Sequence, residues 1–212
     1  MTGMRFRSEV TTMRDSANTK PTRELILDAT EQLIARFGYR KMTIDDLAQE
    51  VGIGKGSVYL HFSSKEEIAL SHIDRIIDRL KDRLERISAK QEPADARLRA
   101  MLVERVVFRF DSVQHYTQSL NELLAQLRPK LLERRKRYFE EEANLFARVI
   151  EEGAEAGTFR QSDPLESART MLIATNSLLP YSLSTQELGK RSEIEKRTRG
   201  VADMLLNGLC SR

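Results

Sequence analysis

The stretch TIDDLAQEVGIGKGSVYLHFSSKEE, Thr43 to Glu67, decides how this chain is read. It places Gly52, Gly54 and Gly56 within five residues, then Tyr59, His61, Phe62 and a run of charge. Glycine-rich loops cradle phosphates because a backbone without Cβ lets N–H groups come close to an anion. The nucleotide-binding forms of that loop fail here on order and on context. A P-loop ends in Gly-Lys-Ser, whereas Lys55 stands between Gly54 and Gly56, and a dinucleotide fingerprint needs glycine where Ser57 stands. Both also need a preceding buried strand, and the residues before these glycines carry the signature of a helix.

That signature is a capping box: Thr43 at the N-cap, Asp46 three residues on, Leu47, Ala48 and Val51 inward, and Gly52 at the close. Ser64 with Glu67 opens another helix, so a short one must fall between Gly54 and about His61. Two short helices crossing steeply through a tight turn need a small side chain where they meet and a residue tolerant of left-handed backbone. Ala48 and Gly52 supply both. Leu47, Val51, Ile53 and Val58 then face inward, while Lys55, Ser57, Tyr59 and His61 face outward on a helix short enough for a groove about 12 Å wide. Gly54 and Gly56 keep its amino end bare, open to DNA phosphates or base edges. The phosphate these glycines suit belongs to a duplex.

Working outward, the 212 residues are 40% hydrophobic and 32% charged, with only 10 Gly and 5 Pro. That composition predicts an all-α protein. No apolar run approaches the roughly 20 residues that cross a bilayer, and the amino terminus has no signal-peptide core, so a cytoplasmic location is expected. Cys210 is the single cysteine, which excludes an intramolecular disulfide, and His61, His72 and His115 have no metal-ligand spacing. No metal, cofactor or catalytic residue is expected. The net charge of +3 does not by itself announce a nucleic-acid binder. Residues 1–65 hold ten Lys and Arg against eight Asp and Glu, so a few well-placed contacts must hold any DNA.

Residues 1–20, with Arg5, Arg7 and Arg14, are polar and aperiodic and read as a disordered tail, with a basic arm touching DNA as the alternative. Ile26, Ala29, Leu33 and Phe37 line a helix from Pro21 that stops at Gly38. After the opening stretch, a long helix capped by Ser64 carries a stripe of Ile68, Ile73, Ile76, Ile77, Leu80, Leu84 and Ile87 over roughly 24 residues, until KQEP breaks it. Helical patterns follow at 94–110, 113–127 and 130–156. Gly157 closes the last of these, and Asp163, Pro164 and Glu166 open another; Ser192 with Glu195 caps a final one. The count is about nine helices: a tail over 1–20, a three-helix helix-turn-helix DNA-binding domain over 21–66, and a helical ligand-binding and dimerisation domain over 67–212.

Residues 22–68, TRELILDATEQLIARFGYRKMTIDDLAQEVGIGKGSVYLHFSSKEEI, resemble the amino-terminal domain of the TetR family of bacterial transcriptional regulators. The remainder fits the family in helix number and length. The resemblance implies that Thr43, Tyr59, His61 and Lys65 meet phosphates and that Lys55, Gly56 and Ser57 meet base edges. The chemistry agrees, since hydroxyl, imidazole N–H and ammonium groups donate to phosphate and lysine reaches guanine O6 and N7. Competing structural readings are that Tyr59 packs between helices, His61 caps a helix end and Lys65 is a solvated first-turn lysine. One departure stands out: Leu60 replaces the second of two adjacent aromatics, and any phosphate bond from that position is lost.

One such unit reaches few base pairs, so a homodimer on a palindromic operator, with half-sites about 34 Å apart or a multiple of it, is expected. Met171, Leu172, Leu178, Leu179, Val201, Leu205 and Leu209 are the candidate dimer surface, with ordinary intrachain core as the other role. The middle helices carry the candidates for lining a small, mostly apolar effector's pocket, Met101, Phe108, His115, Tyr116, Asn121, Tyr138 and Phe146; a solid core is the alternative for each. The resemblance implies that the effector spreads the two DNA-binding domains through the long fourth helix and releases the operator, as a ligand-responsive repressor would. Two other classes compete: an enzyme on an all-α scaffold, for which no nucleophile–base pair or metal set is spaced, and a helical protein-interaction adaptor.

Overall fold

The structure is a computed structural model that describes residues 20–113, 120–179 and 189–210, with residues 120–125 described in backbone only. The expected tail therefore lies outside the described residues, apart from Lys20. Eight α-helices carry the described chain: α1 (Thr22–Phe37), α2 (Ile44–Val51), α3 (Lys55–His61), α4 (Lys65–Ser88), α5 (Ala94–Val113), α6 (Leu120–Glu155), α7 (Pro164–Thr175), which tightens into a 3₁₀ turn over Asn176–Leu178, and α8 (Arg191–Leu209). The fold is all-α, a helix-turn-helix unit followed by a larger helical domain.

The local signals act where the spacing puts them. The Thr43 hydroxyl oxygen accepts from the Asp46 N–H at 3.1 Å while the Asp46 carboxylate accepts from the Thr43 N–H at 2.9 Å, which satisfies two orphan donors at the start of α2. Ser64 Oγ takes the Glu67 N–H at 3.1 Å and opens α4. The Asp163 carboxylate accepts from the N–H groups of Leu165 and Glu166, with Pro164 as the first residue of α7.

Two expectations are corrected. The patterns at 113–127 and 130–156 are one helix over the described residues, α6, which runs through Pro129; residues 114–119 of the first pattern lie outside the described residues. A proline inside a helix deletes one hydrogen bond and crowds the carbonyl four residues back. Packing on both sides of it, by Leu127 and Leu131 and then by Leu145 and Phe146, holds the helix continuous. The last helix starts at Arg191, and the Glu193 carboxylate takes the Lys190 N–H at 3.4 Å. Ser192 lies inside it, because Glu195 pairs with arginines one turn away on either side, Arg191 at 3.2 Å and Arg199 at 2.7 Å.

Two large apolar cores result, and α4 belongs to both; a smaller cluster of Val106, Phe110, Leu179 and Ile194 stands beside them. Ile68, Ala69 and Leu70 join the core of α1–α3, whereas Leu80 and Leu84 join the core formed with α5, α6, α7 and α8. Residue 66, the expected boundary, falls in the first turn of this shared helix. From α6, Leu127 enters the first core and Leu131 packs against it. Charge reinforces the seam. Arg75 of α4 donates to Asp28 of α1 at 2.7 Å and to Glu24 and Glu31 at 3.3 Å each, while its neighbour Asp74 accepts from Arg134, Arg137 and Tyr138 of α6.

Inside the larger domain Glu142 is buried between two arginines of α5. Arg105 donates to it at 2.8 Å and to Thr175 Oγ1 and Asn176 Oδ1, and Arg109 donates to its other carboxylate oxygen. This cluster ties α5, α6 and α7 together. Burial pushes the Glu142 carboxyl up, but the two guanidinium groups outweigh burial and hold it below the usual range. A depressed carboxyl pKa contributes stability that is present above its unfolded value of 4.5 and lost as pH falls through the folded value. Glu142→Gln should cost about 3–5 kcal/mol near neutral pH, because it leaves buried guanidinium groups without their carboxylate. The melting temperature should fall by roughly 6–15 °C. Melts of both proteins between about pH 6 and pH 3 should show that gap narrowing as the wild-type carboxylate takes up its proton.

Candidate nucleic-acid interface

The turn between α2 and α3 fixes the face that α3 presents. Gly52 adopts φ 75°, a left-handed conformation that a Cβ makes costly, and its N–H and that of Ile53 bond back to the Ala48 carbonyl. Val58, the one fully buried residue of α3, plugs into the core beside Leu47, and Phe62 anchors the far end beneath the Arg23 guanidinium, 4.9 Å from the ring centroid. Everything else on α3 is exposed or half-buried.

Lys55 projects from the first position of α3, and its ammonium donates to the Asp45 carboxylate of α2 at 2.8 Å. That hydrogen bond raises its pKa above the ordinary lysine value, so Lys55 is fully charged. Gly54 and Gly56 have open space where a Cβ would sit. No intrachain contact therefore requires glycine at these two positions, which suits a close approach from outside. Ser57 is half-buried, with its N–H bonded to the Gly54 carbonyl at 2.9 Å. Tyr59 is 48% exposed, and His61 is exposed at the last turn of α3.

Two residues read as phosphate contacts also have structural work. Both donors of Thr43 are committed to Asp46: the N–H as above and the hydroxyl at 2.7 Å. Lys65 donates to the Arg40 carbonyl at 3.1 Å and lies 4.6 Å from the Tyr39 ring centroid, tying the α1–α2 loop to α4. Burial pushes its pKa down. Two features of this face carried no local signal: the Asp45 partner of Lys55, ten residues away, and Lys41, exposed two residues before the cap of α2; Leu60, the departure from the family pattern, is 84% exposed.

In the larger domain, Met101 and Phe146 are fully buried in the common core. Phe108 is half-buried with the Arg83 guanidinium 4.7 Å from its ring centroid, and the buried Tyr138 donates its hydroxyl to Asp74, with burial pushing its pKa up. His115, Tyr116 and the side chain of Asn121 lie outside the described residues. Met171, Leu172 and Leu179 are buried in their own chain, while Leu178, Val201, Leu205 and Leu209 are half-buried. The large apolar side chains most exposed on α7 and α8 are Ile173 at 61% and Met204 at 79%, neither of them among the candidate dimer residues. No helix among the described residues is long and apolar enough to cross a membrane.

Comparison with known proteins agrees with this geometry. Residues 26–71 match the model for bacterial regulatory proteins of the tetR family, and residues 94–201 match that for the tetracyclin repressor-like C-terminal domain. The fatty acid metabolism regulator protein of Bacillus subtilis is 24% identical over 196 residues, spanning 90% of this chain and 96% of its own. A transcriptional regulator from Cytophaga hutchinsonii superposes with a TM-score of 0.72 at 20% identity, over 89% of this chain and 98% of its own. The regulator FadR from Bacillus subtilis, solved in complex with stearoyl-CoA, superposes at 0.63 with 17% identity, over 87% and 98%. With its helix-turn-helix and its larger domain both matched, the chain belongs to the TetR family of bacterial transcriptional regulators, DNA-binding proteins that are not enzymes.

Proposed function

We propose that the protein is a homodimeric repressor that reads a palindromic operator through α3 and is released by a small, mostly apolar effector. The observation that carries this reading is the α3 face itself: a charged Lys55, two glycines with nothing beside them, and exposed Tyr59 and His61 on a helix anchored by Val58. Lys55 is assigned to guanine, with Gly56 and Ser57 against base edges, and Tyr59 and His61 to phosphates. Thr43 and Lys65 hold the frame and add phosphate contacts when their hydroxyl and ammonium turn outward.

Dimerisation is assigned to the exposed face of α7 and α8. Met204 stands one turn from both Gly200 and Gly208, and at each glycine a Cβ would meet nothing. Glycine inside a helix costs about 1 kcal/mol relative to alanine, and no intrachain contact asks for it here. A partner helix approaching closely across Met204 and Ile173 gives these residues a purpose. An apolar groove of about 290 Å³ between α7 and α8, lined in part by Met171, Leu205 and Leu209, extends that face.

For the effector, the fatty acid metabolism regulator of Bacillus subtilis and the FadR structure from that organism with stearoyl-CoA together favour a molecule with a long acyl chain. Met101 and Phe146, in the larger core, and Phe108, packed against it, are assigned to the walls of a site that opens to admit such a chain. Release then requires the effector to prefer the operator-incompetent form by about 5 kcal/mol. The route to α1–α3 runs through α4, which Asp74 fastens to α6 and Arg75 to α1.

Selection of duplexes from a random library, followed by binding titrations at several salt concentrations, tests the reading. A palindromic preference with affinity falling steeply in salt supports it, and binding without sequence preference overturns it. On the selected duplex, Lys55→Ala should lower affinity and relax the preference at one base pair per half-site, whereas Asp45→Asn should strengthen binding to unrelated DNA by removing a negative charge from the reading face. Met204→Glu should leave the melting temperature of the monomer fold unchanged, since the side chain is exposed. In sedimentation it should shift the protein to monomer, with operator affinity lost alongside.

A further inference from the structure

We propose that Leu60 is a specificity-determining residue that recognises the C5-methyl group of a thymine in each half-site. The inference rests on the α3 reading above and goes beyond it, since that reading assigns Leu60 no part. Exposure alone would carry little, because lone surface leucines are common. Position decides the matter. At 3.6 residues per turn, Leu60 lies about 160° around α3 from Val58, so it points away from the core along the outermost line of the helix. It is 84% exposed.

Side chains on a helix lean toward its amino end and cover the turn before their own. For Leu60 that turn holds Gly56, four residues earlier, where a Cβ would meet nothing. The isobutyl group therefore has a free path over the same bare surface that Lys55, Gly56 and Ser57 bring to the base edges. Tyr59 and His61, on either side, end in polar groups suited to phosphates. Leu60 has no donor for a phosphate and no partner for the hydrogen-bonding groups of guanine, cytosine or adenine. In the major groove the apolar group on offer is the thymine methyl.

The probe is the duplex selected by the full-length protein, with each thymine replaced in turn by deoxyuridine, which differs only in lacking the methyl. At one thymine per half-site the replacement should weaken wild-type binding about fourfold, the worth of one methyl-sized group left in water. Leu60→Ala should bind the thymine and uracil duplexes equally, and Leu60→Met, which keeps apolar bulk, should retain part of the thymine preference. The side chain belongs to neither core, so both variants should melt as the wild type does. The assignment is wrong if every replacement affects wild type and Leu60→Ala alike, or if none weakens the wild type. Failure to select any preferred duplex would overturn the DNA-reading function itself, and this assignment with it.

Discussion

The left-handed backbone at Gly52 is the constraint on which the reading face depends. α3 is only seven residues long and buries one side chain fully, so it has little packing of its own to hold an orientation. Its direction is imposed from both ends. On one side the Gly52 turn and the Ala48 carbonyl bind it to α2, whose start is fixed by the Thr43–Asp46 box. On the other, Phe62 enters the core and Ser64 begins α4. A helix this short, held so firmly at its ends, can leave nearly its whole surface free for a groove.

The second element of the design is α4, about 36 Å long and shared by both cores. Successive residues point it in two directions: Arg75 gathers three carboxylates of α1, and Asp74 gathers Arg134, Arg137 and Tyr138 of α6. Leu127 adds an apolar bond between α6 and the first core. The helix-turn-helix is thus gripped by the helices of the larger domain as well as by its own. In the proposed switch, a change in α6 moves α1–α3 without any contact between effector and DNA, because packed elements rearrange as units.

Much of this was legible in the sequence because it is written in local spacing. Thr43 with Asp46, Ser64 with Glu67, and Asp163 with Pro164 each place a cap within a few residues, and Gly52 announces the turn by its type. What escaped depends on distant partners. Asp45 and Lys55 meet across ten residues, and Arg105, Arg109 and Glu142 come together only when α5, α6 and α7 close around them. The patterns at 113–127 and 130–156 read as separate because the packing that carries α6 through Pro129 cannot be seen one segment at a time. On α7 and α8 the pattern showed which residues were apolar. It did not show that Met171 and Leu172 point inward while Ile173 and Met204 point out.

Dimethyl sulfate interference on the selected operator tests the central claim most directly, because methylation marks the two grooves differently: guanine N7 lies in the major groove and adenine N3 in the minor. If α3 enters the major groove with Lys55 at its leading end, N7 methylation of guanines within each half-site must block binding. Interference confined to adenine N3, with guanine N7 methylation tolerated throughout, would contradict the account.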